Sequence, residues 1–174
     1  MRNNELNKMD EEIRKFLRQA SRKEMYELWG RAKEGDYEGL DDEKKLLAKI
    51  ILEHEDEFHN QFEFADLTYD HEFDPDTEYN PFLHVIIHSI AENQLAQKDP
   101  IETLQYYNAI RRKKYSHHDT IHFIGQFISC MIFDIFKYNR PFNLDVYRKL
   151  LKKYKTRNPE KLMDLLDKDP LLSD

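Results

Sequence analysis

Ser116-His117-His118-Asp119-Thr120-Ile121-His122-Phe123-Ile124-Gly125-Gln126-Phe127-Ile128-Ser129-Cys130-Met131-Ile132-Phe133-Asp134-Ile135-Phe136 is the stretch on which the fold turns. From Ile121 onward, apolar side chains fall on nearly every face of a 3.6-residue repeat, which predicts a helix buried at the centre of a bundle. Ser116 has the chemistry of an N-cap, and Asp119 three residues on makes a variant of the capping box, which ordinarily uses Glu or Gln. The central helix is therefore expected over 117–138, stopped by Asn139-Arg140-Pro141. His118 and His122 are four apart and share one face of its first two turns. Two imidazoles opening the most apolar helix of the chain ask for a partner, and the candidate is a metal ion.

Working outward, the same periodicity recurs. A first helix is expected from Glu5 to about Glu34, with Ile13, Phe16, Leu17 and Ala20 on one stripe and Met25, Leu28 and Trp29 on the next. Gly35 and Gly39 bracket a loop, and Asp41 or Asp42 can cap a second helix to about Phe64, carrying Leu46, Leu47, Ile50, Ile51, Phe58 and Phe62. The segment from Ala65 to Asn80 has no helical period and is strongly acidic. A loop of that length in a compact domain tends to be functional or disordered, so Thr68 to Glu78 is expected to be a poorly protected segment over the top of the bundle. It is either a lid on the site or a stretch ordered by Tyr69, Phe73 and Tyr79. It lacks the Gly and the spaced Glu of a calcium-binding EF-hand loop. Asn80 and Pro81 start a third helix, to about Gln97. Asp99-Pro100 opens a fourth, to about Lys114, and Asn143–Tyr154 and Pro159–Asp167 are shorter amphipathic helices. The expected architecture is all-α: four main helices with additional N- and C-terminal helices, the 117–138 helix innermost. It reads as one domain over 1–174, comprising an N-terminal helical segment (1–40), a histidine-rich bundle (41–155) and a C-terminal helix and tail (156–174).

Composition agrees and excludes several classes. Only 4 Gly and 6 Pro occur in 174 residues, too few for a turn-rich β-sandwich. With 27 Lys+Arg against 34 Asp+Glu the net charge is −7, which argues against nucleic acid as the main partner. The basic clusters at Arg111–Lys114 and Lys152–Lys155 sit at expected helix C-termini, where cations complement the dipole. No apolar signal region opens the chain and no apolar run reaches a membrane span, so a cytoplasmic protein without membrane contact is expected. The single Cys130 lies in the apolar run, which marks a core thiol rather than a nucleophile.

Three helices each carry a liganding pair at i, i+4: Glu55/His59, His84/His88 and His118/His122. Such a pair can chelate one ion, as two His do in the helical zinc-protease motif, although no Glu follows His84 or His118 here. Helices joined by short connections pack antiparallel, which brings the three pairs level near one end of the bundle. A dipole at a helix N-terminus also favours neutral imidazole, the ligand form, at His84, His88, His118 and His122. His54 faces differently from His59 and ranks below it. Glu92, Gln126 and Asp134 lie one to a few turns beyond the histidines, either as supports for the imidazoles or as polar residues at bundle seams.

The segment Asn80-Pro81-Phe82-Leu83-His84-Val85-Ile86-Ile87-His88, with Glu92 and Gln94-Leu95 after it, resembles the Asn-Pro-x-Leu-His-x-x-x-His signature of a bacterial domain-of-unknown-function family, number 1841. His118-Asp119-Thr120-Ile121-His122 resembles that family's second His-x-x-x-His helix. Glu55-Asp56-Glu57-Phe58-His59 resembles an earlier element that tends to read His-x-Glu-Tyr-His, so either Glu55 or His54 takes the place of its first ligand. The similarity spans about Leu47 to Tyr147. It implies a fold and a site but no reaction.

The expected site is thus Glu55, His59, His84, His88, His118 and His122 around a transition ion. Imidazole-rich donors suit such ions over Mg or Ca. Six ligands exceed the three protein ligands plus water of catalytic zinc. Either one octahedral ion occupies the set, which points to Fe, Ni or Mn, or two ions share it, so one or two ions of Fe, Zn, Ni or Mn are the expected cofactor. The expected function is metal binding by a helical bundle, either as a metal-binding protein or as a metal-dependent enzyme with a histidine-rich mono- or dinuclear site. The competing reading is a non-catalytic interaction protein whose histidine pairs are structural.

Overall fold

The computed structural model describes residues 21–74, 77–138 and 141–172, and the side chains of all of these except 136–138. The stripe expected over Ile13 to Ala20 and the stop at Asn139 and Arg140 lie outside the described residues. Every regular element among the described residues is a helix, so the chain is all-α. None of these helices is long and apolar enough to cross a membrane. Contacts divide the chain into two compact units between Ile86 and Ile87, within a helix that runs through the boundary.

In the N-terminal unit, α1 (21–34) ends at Gly35, whose φ of 67° is the left-handed conformation that closes a helix at low cost in glycine. Asp41 caps α2 (Asp42–Glu53), accepting a hydrogen bond from Lys44 N at 2.8 Å. α3 (Glu55–Glu63) follows at once, and α4 (Pro81–Gln97) starts in this unit. Met25, Leu28, Trp29 and Ala32 of α1 pack with Ile50, Ile51, Phe58, Phe62, Phe82 and Val85.

The single helix expected from Asp42 to about Phe64 is broken. His54 leaves helical geometry (φ −106°, ψ 16°), and Phe58 does so again (φ −125°, ψ 20°). Glu53, Glu55, Asp56 and Glu57 crowd this stretch with like charge and provide no apolar packing. Two small breaks let His54, Phe58 and Phe62 all turn inward, at 2%, 5% and 0% exposure.

The acidic segment after α3 is anchored within this unit. Arg22, buried on α1, donates to the carbonyls of Thr68 and His71, each at 3.3 Å. Its guanidinium also lies 3.9 Å from the ring centroid of Phe82 and 4.9 Å from that of Phe73. Phe73 packs against the core, and His71 pairs with Glu78 at 3.2 Å.

The C-terminal unit comprises α4 from Ile87, α5 (Ile101–Arg111), α6 (His117–Tyr138), α7 (Leu144–Tyr154), a 3₁₀ turn (Pro159–Lys161) and α8 (Leu162–Leu166). α5, α6 and α7 pack on one another, and α8 packs on α6. Their core holds Ile87, Ala91, Tyr106, Ile110, Tyr147 and Leu150 around Ile121, Ile124, Phe127, Ile128 and Met131. Each Ile, Leu, Phe and Met among them contributes about 1.5–3 kcal/mol by leaving water. The α6 helix is thus central on one face, but it is not buried all round: His118 and Phe133 are exposed.

Polar ties fix these helices in register. Gln94 Oε1 on α4 accepts from Thr103 Oγ1 (2.8 Å) and Tyr147 Oη (2.7 Å). Burial pushes the Tyr147 phenol up to about 12, against the lowering effect of its own hydrogen bonds with Thr103 Oγ1 (3.4 Å) and Gln94 Oε1. Glu102, nearly buried on α5, meets Lys152 at 2.9 Å and Arg148 at 3.4 Å. The buried carboxylate of Asp169 takes Lys153 Nζ at 2.8 Å and Tyr154 Oη at 2.5 Å. The basic C-terminus of α7 therefore neutralises carboxylates inside its own unit. Cys130 is half-buried, and burial raises its thiol to about 11, consistent with an unreactive core cysteine.

Candidate metal centre

The N-terminus of α6 is built as its residues predict. Ser116 Oγ accepts from Asp119 N at 3.0 Å, and Asp119 Oδ2 accepts from Ser116 N at 3.1 Å and from Ser116 Oγ at 2.6 Å. These bonds, the Ser116 hydroxyl first, hold the Asp119 carboxyl below the usual range. Asn80 caps α4 in the same way, accepting from Phe82 N (3.1 Å) and Leu83 N (3.0 Å). The start of each helix is therefore defined, and with it the direction of the histidines that follow.

In the C-terminal unit, His88 of α4 meets His118 and His122 of α6. Ring centroids are 5.4 Å apart for His88–His118, 4.6 Å for His88–His122 and 4.4 Å for His118–His122. One ring nitrogen from each lies within 4.8 Å of the others. Nitrogens sharing one ion at about 2.0–2.1 Å stand roughly 3–4 Å apart, so small rotations of the rings close the set. His88 is buried, His122 is intermediate and His118 is exposed, which leaves a solvent side to the cluster.

A second set of bonds orients this end of the unit. His117 donates from Nε2 to Glu92 Oε1 at 2.6 Å, and its Nδ1 is 2.8 Å from Tyr107 Oη. The first turn of α6 is thereby tied to α4 and α5. Glu92, one turn beyond His88, thus directs its Oε1 at His117, a histidine outside the cluster. Asp134 lies about 18 Å along α6 from His122 at 1.5 Å per residue. There it lines a cavity of about 680 Å³ with Met131, Phe142 and Leu144, so it does not support the histidines.

The N-terminal unit holds a different arrangement of the remaining candidates. His54 Nδ1 bonds the Ile50 carbonyl at 2.7 Å. A carbonyl only accepts, so Nδ1 carries the hydrogen, and in the neutral ring Nε2 is left with a lone pair. That nitrogen is 3.1 Å from His84 Nε2, and His84 Nδ1 in turn meets the Tyr79 hydroxyl. The consistent order is Tyr79 O–H to His84, His84 Nε2–H to His54, and His54 Nδ1–H to Ile50. Burial first, then the charge of Glu57, raises the Tyr79 phenol to about 12, so it keeps its proton. A ring N–H held by a backbone carbonyl is the usual preparation of an imidazole that ligates through its other nitrogen.

Glu55 and His59 pair with each other at 3.6 Å, each about half exposed, and the His59 ring stands edge-on to Trp29. Sequence reasoning ranked His54 below His59, yet His54 is the buried imidazole of this stretch. The signal was present: Leu47, Ile50, Ile51, His54, Phe58 and Phe62 form one stripe at spacings of three and four.

The molecule is an all-α protein carrying a cluster of histidines that could hold a metal ion. The chain belongs to the family described as Domain of unknown function (DUF1841), which matches residues 17–153. No curated protein and no solved structure matches it.

Proposed function

We propose that this protein binds a transition-metal ion through His88, His118 and His122. What supports the reading is the approach of three imidazoles from two helices, with ring centroids no more than 5.4 Å apart. Nitrogen donors of this kind suit Zn, Fe, Ni or Cu rather than Mg or Ca. Three protein ligands and an open position are the arrangement of catalytic rather than structural zinc sites. A water on such an ion would be the reactive group, which makes metal-dependent hydrolysis or hydration the reaction class to test. His54, His84, His59 and Glu55 are the further ligand candidates supplied by the sequence.

The experiment is elemental analysis of protein purified without a histidine tag, followed by titration with Zn(II), Co(II), Fe(II), Ni(II) and Mn(II). Roughly one equivalent of one ion is expected, with loss of affinity beyond the 10–100-fold of an outer-contact change on His88→Ala, His118→Ala or His122→Ala. The same single substitutions at His54, His84, His59 and Glu55 rank the remaining candidates. Less than about a tenth of an equivalent, with no thermal stabilisation by any ion, refutes the reading.

A second reading, an interaction protein with structural histidines, draws on the pairs His59–Glu55, His71–Glu78 and His117–Glu92. Those histidines have protein partners already. A metal-free protein of unchanged stability would favour it.

A further inference from the structure

Gln126 follows His118 and His122 at the same interval of four on α6, so the three share a face. Its Oε1 is shielded from solvent and accepts no hydrogen bond among the described residues. Leaving a buried amide oxygen unmet costs about 1–3 kcal/mol, and such an atom calls for an explanation. Helical side chains lean toward the N-terminus, so Gln126 reaches back over the turn that carries His122. It cannot comfortably join His118 and His122 on one ion, because three residues at this interval span about 12 Å of helix. The remaining role is to receive a donor that arrives with the ion.

We propose that Gln126 Oε1 is the hydrogen-bond acceptor for an exogenous ligand bound at the open position of the metal. This rests on the metal-binding reading above and extends it to the ligand's chemistry. The ligand carries an O–H or N–H at or next to its coordinating atom, as water, hydroxylamine or a hydroxylated substrate does. A ligand without a hydrogen there, such as azide, leaves the amide oxygen unmet. Sites built to hydrogen-bond a group discriminate strongly against analogues that lack it.

The test uses the full chain loaded with Co(II) under anaerobic conditions, with hydroxylamine and azide titrated by their effect on the visible bands. Gln126→Leu is expected to keep Co(II) affinity within about threefold and to weaken hydroxylamine by roughly tenfold or more, while azide binding holds or improves. Gln126→Glu, which retains an acceptor, should keep hydroxylamine binding. Equal changes for both probes, or no change for either, overturn the proposal, as does a Gln126→Leu chain that loses Co(II) outright while still melting cooperatively. Thermal melting of the metal-free variant guards against misfolding: without its unmet oxygen it should melt no lower than the parent, and a clear drop would assign Gln126 a structural role instead. A parent chain that binds none of Co(II), Zn(II), Fe(II), Ni(II) and Mn(II) refutes the metal-binding reading itself, which separates the two failures.

Discussion

Ile87 and Gly125 meet so closely that a methyl group on Gly125 would stand 3.0 Å from Ile87 Cγ2. Ile87 is next to His88 and Gly125 is three residues beyond His122, so this contact sets the spacing at which α4 presents its imidazole to α6. The opposed atom belongs to a branched, buried side chain with little room to turn.

Gly125→Ala therefore tests packing beside the cluster without touching a histidine. Helix propensity favours Ala by about 1 kcal/mol. Overpacking a filled core costs about 1–3 kcal/mol. A net loss of about 1 kcal/mol is expected in urea unfolding of the metal-free chain, together with weaker binding of Zn(II) or Co(II). Unchanged stability and unchanged affinity would mean that α4 yields freely at this point.

Tyr106 is fully buried on α5, its ring edge-on to Phe127 at 5.0 Å, and its hydroxyl has no hydrogen-bond partner among the described residues. Burial drives its phenol well above the ordinary value. Tyr106→Phe removes the unmet group and keeps the ring, so stability should rise by up to about 1–2 kcal/mol. Denaturant titration reads this directly, and a loss of similar size would reveal a partner for the hydroxyl.

Arg22 holds the acidic segment through the carbonyls of Thr68 and His71 and the ring of Phe73, with its guanidinium also over Phe82 of α4. Arg22→Met keeps the apolar stem and removes the guanidinium. A stability loss of about 1–3 kcal/mol is expected, with faster hydrogen exchange at Leu67, Thr68 and His71. Exchange at the parent rate would show that Phe73 alone suffices to hold the segment.

Acid should weaken the C-terminal unit. Burial by itself would raise the Asp169 carboxyl, but hydrogen bonds from Lys153 and Tyr154 outweigh it, and the net shift is downward. Glu102 is also lowered, chiefly by the hydrogen bond from Lys152. A carboxyl depressed in the folded state stabilises it above the unfolded pKa, near 4 for these groups, and the contribution fades as pH falls through the folded value. The parent should hold its stability down to about pH 5 and lose it below about pH 4. Asp169→Asn combined with Glu102→Gln should lower stability at pH 7 by about 1–3 kcal/mol and flatten the acid slope. An unchanged slope would remove these two carboxylates from the acid response.

How much was legible follows from the range of each interaction. The all-helical class, the caps at Ser116, Asn80 and Asp41, and the shared face of His118 and His122 are decided within four residues of chain. Local bonds such as Ser116–Asp119 form wherever the helix forms. The inward turn of His54 was half legible: its place on the stripe with Ile50, Ile51 and Phe58 could be read from spacing. The break that makes the stripe work could not, because it depends on Phe58 and Phe62 finding a core made by α1 and α4.

The partners of polar groups were the least legible. Glu92 sits one turn from His88, yet it bonds His117, because the start of α6 lies beside it in the folded unit. Lys152 and Lys153 read as solvated helix-end charges, but they neutralise Glu102 and Asp169 from elsewhere in the chain. By itself the sequence determined which segments are helical, where α2, α4 and α6 begin and which side chains of one helix share a face, since those are consequences of backbone geometry and near neighbours. Only the tertiary structure decided which imidazoles meet, because that depends on the register between helices, and register is settled by contacts such as Ile87 against Gly125 that no local pattern encodes.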